Sequence, residues 1–451
     1  MRKQRGNLRS TSSAPAAVGQ RIELTLDRLT HDGRGIGSWE GRTVFVEGGL
    51  PGERVSARVT RARSKLIESR LDTLIDPSAE RRAPACRHAA LCGGCNVQHM
   101  PREAQLALKQ QALAQQLKHF AGIQPQNWMP ALVGDEYAYR ERARLSVRWL
   151  PQERHLQVGY RQRTSEKLVD VEHCPILVPV LQKLLSALPE VLRKLSDPRS
   201  LGHVELIGGV HPSMVIRHMR PLTPEDTVLL TELAQQHKVV CRLQSGADAV
   251  MHSLPDNAPD PAYQLVDQDL LFQFSAGDFT QVNAQINAQM IEQALTWLAV
   301  KPGEKVLDLF CGVGNFSLPL ARQGAEVTGV EGSLAMVERA QQNAKLNNLG
   351  NLHFCAADLS KPEATDWLSG SYQAALLDPP RDGAAELVAV LARKRLSRIL
   401  YVSCNPATLA RDAGILAQAG YRMVQVGIMD MFPQTAHVEA MALFMPGKDK
   451  K

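Results

Sequence analysis

Cysteine is the residue in this chain best suited to covalent chemistry, and one of the eight stands where a sulfur can react. Cys404 closes the run Arg398-Ile399-Leu400-Tyr401-Val402-Ser403-Cys404-Asn405-Pro406. The apolar stretch reads as a buried strand that delivers the thiol to its carboxyl end. Asn405 and Pro406 read as the N-cap and first residue of a helix. A helix N-terminus favours negative charge, so the expectation is a sulfur biased toward thiolate and hence nucleophilic; the competing reading is a packed core cysteine. Two acids weigh against the core reading. Asp378, in Asp378-Pro379-Pro380-Arg381, follows another apolar strand, and Glu439, in His437-Val438-Glu439, opens the last one. A partly desolvated carboxylate beside a nucleophile suits general-base work.

A cofactor site is readable upstream. The run Lys305-Val306-Leu307-Asp308-Leu309-Phe310-Cys311-Gly312-Val313-Gly314-Asn315-Phe316-Ser317 passes from strand through glycine loop to helix. Ser317 stands where a dinucleotide fingerprint wants its third glycine, which argues against NAD. Glu331, Asp358 and Asp378 fall at the ends of the next three parallel strands, where open α/β sheets bind their ligands. That register of acids fits S-adenosyl-L-methionine, with carboxylates for its ribose, adenine and amino group. Asp378-Pro379-Pro380-Arg381 departs from the tetrad of amino-group methyltransferases, which carries an aromatic where this chain has Arg381. With a thiol nearby, the chemistry that fits is methylation of a poorly nucleophilic carbon. Thiolate addition at carbon 6 of uracil makes carbon 5 an enolate carbon that can take a methyl group, after which a base removes the carbon-5 proton.

A second cysteine set, Cys86, Cys92 and Cys95 in C-x5-C-x2-C with a distant Cys174 before Pro175, has the composition of a four-thiolate centre, zinc or iron–sulfur. One close pair, two singles and the following proline favour [4Fe–4S]. The spacing does not match the C-x3-C-x2-C of radical adenosylmethionine enzymes, so the expected role is structural or RNA-positioning.

The elements that must carry these residues divide the chain. Residues 1–14 read as a flexible basic arm. Residues 15–74 alternate apolar and polar positions (Ile22, Leu24, Leu26; Val44, Val46; Val55, Ala57, Val59) between glycine turns, as in a small OB-like barrel with a basic face. A central α+β domain over 75–262 holds the cysteine set, a helix from Pro101 to about Phe120 with Leu106, Leu113, Leu117 and Phe120 on one stripe, and Arg140, Arg142, Arg144 and Arg148 alternating along a strand. Residues 263–451 read as a doubly wound, Rossmann-like α/β domain, with strands near 305–310, 326–331, 352–356, 374–378, 398–403, 421–428 and 438–444 and a final antiparallel hairpin.

The set Phe279-Thr280-Gln281-Val282-Asn283, Asp378-Pro379-Pro380-Arg381, Ser403-Cys404-Asn405-Pro406 and His437-Val438-Glu439 resembles the RNA uracil-C5 methyltransferase family, and the N-terminal module resembles a TRAM domain. The resemblance spans nearly the whole chain. It implies a C-terminal class I adenosylmethionine-dependent methyltransferase domain, with Cys404 as nucleophile and Glu439 as base. It implies Gln281, Phe310, Asn315, Glu331, Asp358 and Asp378 as contacts to S-adenosyl-L-methionine, and Phe279 stacking near a flipped-out base, since carbon 6 must be exposed to a thiol. It also implies Cys86, Cys92, Cys95 and Cys174 as ligands of a [4Fe–4S] cluster. Relatives acting on tRNA lack the barrel and the cluster cysteines, so the implied substrate is 23S rRNA. A tRNA or other rRNA uridine, or a non-catalytic assembly factor, are the alternatives.

Charge agrees with a polyanion partner. Residues 1–72 hold 14 Lys and Arg against 8 Asp and Glu, so the whole net charge of +6 resides there. No apolar run is long enough for a membrane helix, residues 1–20 lack the apolar centre of a secretory signal, and the unpaired cysteine pattern fits a reducing compartment. The expected location is cytoplasmic, with no membrane and no stable protein partner.

Overall fold

The computed structural model describes residues 17–246, 251–362 and 366–447; the expected basic arm over 1–14 lies outside the described residues. The chain divides into two compact units, Met1–Pro84 with Asn96–Leu108, and Ala85–Cys95 with Lys109–Lys451.

In the first unit, strands Arg21–Leu29, Gly35–Trp39, Arg42–Glu47, Arg54–Ala62 and Leu66–Asp76 close into a barrel. Alternation sends Ile22, Leu24, Leu26, Val44, Val46, Val55, Ala57, Val59 and Ile67 inward, where all are buried. Gly37 is required at its place, since a Cβ there would stand 2.4 Å from the Thr25 carbonyl oxygen. A buried carboxylate, Glu53, ties the base of the module. It accepts from Arg81 Nε at 2.6 Å, Leu50 N at 2.8 Å and Ser78 N at 3.2 Å. Arg61, Arg63 and Lys65 stand exposed around the turn between the last two strands.

The second unit holds two large sheets. One has seven strands in the order Met251–Leu254, Val240–Ser245, Ser213–His218, Leu201–Ile207, Arg142–Leu150, His155–Arg161 and Leu168–Asp170. Helix Pro179–Lys194 buries Leu181, Leu184, Leu185, Leu188 and Leu192 in the core of this region. Arg142, Arg144 and Arg148 share one face of their strand as expected. Arg140 precedes it and instead bridges Leu177 and Asn283.

The other sheet has eight strands in the order Leu352–Ala356, Glu326–Glu331, Lys305–Leu309, Ala374–Leu377, Arg398–Ser403, Glu439–Pro446, Tyr421–Met429 and Asn127–Trp128. The first five are mutually parallel, and Glu439–Pro446 inserts antiparallel between its neighbours. Val306, Leu376, Leu400, Val402, Met441 and Leu443 form part of its core, each nearly inaccessible, as central strands covered on both faces require. The seven expected strands are found within about two residues of their expected ends. The eighth, Asn127–Trp128, pairs parallel with Tyr421–Met429 and was not anticipated, because two residues carry no periodicity.

Helix Arg102–Gln116 continues into a π-helical turn, Leu117–Ala121, closed by Gly122 in the left-handed conformation. Its expected apolar stripe is found at Leu113 and Leu117, both inaccessible, and fails at its end. Phe120 is 60% exposed, while Gln105 and Lys109 are buried. Among the described residues no helix is long and apolar enough to cross a membrane.

Candidate active site

Parallel register brings the strand ends to one edge of the eight-stranded sheet. Leu309 pairs with Leu377 and Leu377 with Tyr401, so Phe310, Asp378 and the residues after Tyr401 emerge together. The antiparallel strand pairs Ala440 with Ser403, which sets Glu439 at its start beside Cys404 just past the end of its neighbour. The two cannot drift apart without breaking the ladder.

The helix after Cys404 starts as expected. Pro406 is its first residue, and the Asn405 side chain accepts from Ala407 N at 3.1 Å while donating to the Arg381 carbonyl at 2.9 Å. That second bond ties the Cys404 loop to the segment after Asp378. The expectation of a thiolate-biased sulfur is corrected. Burial, reinforced by the charges of Glu439 and Asp378, pushes the Cys404 thiol up to about 11, although Arg381 pulls the other way. Desolvation and two nearby carboxylates outweigh a helix terminus, whose effect is that of about half a charge.

The acids behave as a coupled group. Burial, with Asp378 adding repulsion, raises Glu439 to about 8 against the pull of Arg381 and Lys109. Burial raises Asp378 to about 7. Asp308, fully buried, is raised to about 7 by burial, with Asp378 and Glu331 repelling it, although its Oδ2 accepts from Ser317 Oγ. Among the described residues its Oδ1 has no hydrogen-bond partner. Such a set of crowded, poorly solvated carboxyls is relieved by a cationic ligand, and the methionine end of S-adenosyl-L-methionine carries an ammonium and a sulfonium. The residues present therefore fit that group.

The glycine loop is shaped for close approach. Phe310 has φ of 64° and Gly314 of 95°, and a Cβ on Gly314 would meet Leu318 Cδ1 at 2.5 Å. Phe310 N and Cys311 N both donate to the Val330 carbonyl, binding the loop to the neighbouring strand. The Glu331 carboxylate accepts from Gly312 N at 3.2 Å and Ser333 N at 3.1 Å. Asn315 is fixed by reciprocal bonds with Asn287, and its Oδ1 also accepts from Tyr263 OH at 2.9 Å.

Gln281 lines a cavity of about 310 Å³ with Thr280, Tyr263 and Asn287, so the Asn315 network adjoins its wall. Phe279 projects, 69% exposed. The loop that carries it is clamped by Arg142, whose guanidinium donates to the Ala276 and Asp278 carbonyls and pairs with Glu205 at 2.7 Å. Asp358 lies two residues beyond its strand, exposed, and turns its carboxylate to Ser360. The structure thus groups Cys404, Glu439, Asp378, Asp308 and Glu331 electrostatically. Phe279 and Asp358 stand on the surface.

The second cysteine set lies within one unit. Burial pushes Cys174 up to about 12, with Cys95, Cys86 and Cys92 adding to the shift. Gly94 N points at Cys92 Sγ from 3.4 Å, and Arg163 Nη2 donates to the carbonyls of Ala89 and Cys95 at 2.8 and 2.5 Å. Among the described residues no group of three His, Cys, Asp or Glu side chains is arranged as a metal site.

Sequence reasoning missed Lys109, buried beside this site. No local signal marks it: Gln105, Lys109, Ala112 and Leu113 recur at helical spacing on the buried side, but two of the four are polar.

Residues 101–446 match the family model described as tRNA (Uracil-5-)-methyltransferase, and residues 15–71 match the TRAM domain. The chain is 51% identical over 431 residues to the 23S rRNA (uracil(1939)-C(5))-methyltransferase RlmD of Pseudomonas putida, covering 95% of each chain. It is 50% identical over 453 residues to the protein of that name from Pseudomonas aeruginosa, covering 99% of this chain and all of the other. Among solved structures, the tRNA (uracil-54, C5)-methyltransferase of Pyrococcus abyssi, in complex with S-adenosyl-L-homocysteine, superposes with a TM-score of 0.72 at 23% identity. The match covers 94% of this chain and all of that one, and it bears on the fold.

Proposed function

The chain belongs to the tRNA (uracil-5-)-methyltransferase family, and from that membership we propose that it methylates carbon 5 of one uridine in 23S rRNA, the one its relatives' names number 1939. The observation that carries the chemistry is the pairing of Ser403 with Ala440, which puts a thiol and a half-buried carboxyl side by side at the ligand edge of the sheet.

S-adenosyl-L-methionine, when bound, supplies an electrophilic methyl group. The carboxyls of Asp308, Glu331 and Asp378 and the loop at Phe310 and Asn315 hold it, with Gln281 and Asp358 completing the contacts. Cys404 carries its proton at neutral pH, so attack on carbon 6 requires loss of that proton as the S–C bond forms. Asp378, whose charge bears on Cys404, accepts that proton, which leaves the Glu439 carboxylate free for the later step, and returns it to the sulfur at the end of the cycle. The addition leaves negative charge on the carbon 5–carbon 4–oxygen system, and carbon 5 takes the methyl group as the S–CH3 bond breaks, the sulfur keeping that electron pair in the departing S-adenosyl-L-homocysteine. Glu439 then removes the carbon-5 proton, the electron pair reforms the ring double bond, and Cys404 leaves as thiolate. Phe279, exposed on its clamped loop, stacks against the extruded base.

Cys86, Cys92, Cys95 and Cys174 would hold a [4Fe–4S] cluster, whose bonds would tie the 85–95 segment to the central sheet without entering these steps. Four thiols, of which Cys92 and Cys174 are raised by burial, with the Gly94 N–H aimed at the Cys92 sulfur, have the donor chemistry for it. The barrel supplies RNA affinity, and with ribosomal RNA as substrate the place of action is the cytoplasm.

Incubation of anaerobically purified protein with methyl-labelled adenosylmethionine and unmodified 23S rRNA, followed by digestion and nucleoside mass spectrometry, tests the reading. Label in 5-methyluridine is the expected result. Label in another nucleoside, or only in tRNA, overturns it.

A further inference from the structure

Glu439 is preceded by segment 430–438, and three successive carbonyls at the start of that segment accept hydrogen bonds from side chains far away in sequence. Asn283 Nδ2 reaches the Met431 carbonyl at 3.4 Å, Lys109 Nζ the Phe432 carbonyl at 3.0 Å, and Tyr139 OH the Pro433 carbonyl at 3.1 Å. Of the three donors only Lys109 is a cation. It also pairs with Asp430 Oδ1 at 2.6 Å, and both side chains are 1% exposed. Replacing such a pair with apolar residues is commonly neutral or stabilising, so stability alone is a weak reason for a buried ion pair here.

We propose that Lys109 is a positioning residue for proton removal: it fixes the segment that presents Glu439 to Cys404 and sets a positive charge near the carboxylate that must take the carbon-5 proton. This rests on the reading of Glu439 as the base. The charged groups around Glu439 come from every element packed there. Asp378 and Arg381 follow one strand, Cys404 follows the next, Lys109 lies on its helix, and Asp430 and His437 belong to the segment itself. Burial and Asp378 favour the neutral acid, and Lys109 is one of two cations opposing them. Lys109 also acts on His437, which burial and the charges of Arg381, Lys109 and Arg140 hold toward its neutral form. Lys109 thus bears on both groups, and Asp430, opposite in sign, lies beside it at 2.6 Å.

That opposition supplies the test. Lys109→Met removes the cation and leaves Asp430, so the pH profile of adduct resolution should move up by about one unit, with resolution at pH 7 slowed about tenfold. The methylated, covalent RNA–protein species should then accumulate on a denaturing gel, while adenosylmethionine affinity changes less than about twofold. Asp430→Asn keeps Lys109 and removes its neutraliser, so the profile should move down. Lys109→Arg, which keeps the charge, should return most of the activity. Glu439→Gln is run in parallel. If it turns over normally without trapping an adduct, the base assignment itself falls, whatever Lys109 does. If Glu439→Gln traps the adduct but the folded Lys109→Met and Asp430→Asn proteins show unshifted or like-signed profiles, Lys109 has a structural role only. Should Lys109→Met fail to fold, the direction of the Asp430→Asn shift decides alone.

Discussion

At Cys404, burial governs the sulfur more than the helix that follows it, and this makes the thiol a conditional nucleophile. Cys404→Ala should keep adenosylmethionine and RNA binding and lose turnover, measured by label transfer beside equilibrium binding; residual methylation above a few per cent of wild type removes Cys404 from the mechanism. The acids give a second prediction. Asp308 and Asp378 are each raised to about 7, so both are largely neutral at pH 6 and charged at pH 8. A cationic ligand gains attraction as they ionise, and adenosylmethionine should bind several-fold more tightly at pH 8 than at pH 6. S-adenosyl-L-homocysteine, which lacks the sulfonium charge, should show a smaller change. Calorimetric titration of both ligands across that range checks the sign. Asp378 was legible in the sequence because it sits just past a short apolar run, whereas Asp308 lies inside its strand and was not singled out. Their coupling was not legible, since it depends on which strands are neighbours in the sheet.

The elements that hold Cys404 are joined through Asp412, which is inaccessible in helix Pro406–Gln418 and accepts from Tyr401 OH at 2.6 Å, Ala384 N at 2.8 Å and Arg411 Nε at 2.8 Å. Asp412→Ala leaves the Tyr401 hydroxyl and the Ala384 amide without this acceptor and should cost about 3 kcal/mol in urea unfolding, with Asp412→Asn costing less. The cysteine segment behaves as an element too. Anaerobic purification should give a brown protein with about four iron atoms per chain, and Cys174→Ser should lose iron and much of the middle region's protease resistance. A colourless, zinc-loaded protein refutes that assignment. Strands were readable here where short, largely apolar stretches such as Ala374–Leu377 and Arg398–Ser403 stood between helical segments. What stayed hidden was the two-residue strand Asn127–Trp128 and the buried face of helix Arg102–Gln116. Lys109 looks like surface in any local window and meets Asp430 only across 321 residues.

Over the whole molecule, the positive charge is concentrated at the amino-terminal side, where residues 1–72 carry the entire excess of +6. Replacing Arg61, Arg63 and Lys65 together by Gln should weaken rRNA binding at low salt and lower the slope of log affinity against log salt by about 2, with kcat on a short hairpin substrate nearly unchanged. A slope identical to wild type places the RNA contacts elsewhere. The eight-stranded sheet carries a further consequence, for biosynthesis. Its outermost strand, Asn127–Trp128, and the Lys109 ammonium are both made early, yet each finds its partner only in residues 421–432. Until the ribosome has translated that stretch, the early segments have nothing to pair with, and the nascent chain carries an incomplete sheet. Maturation of the catalytic half is therefore late, and release of a truncated product short of Tyr421 should yield a species bound by chaperones, however well its barrel has folded.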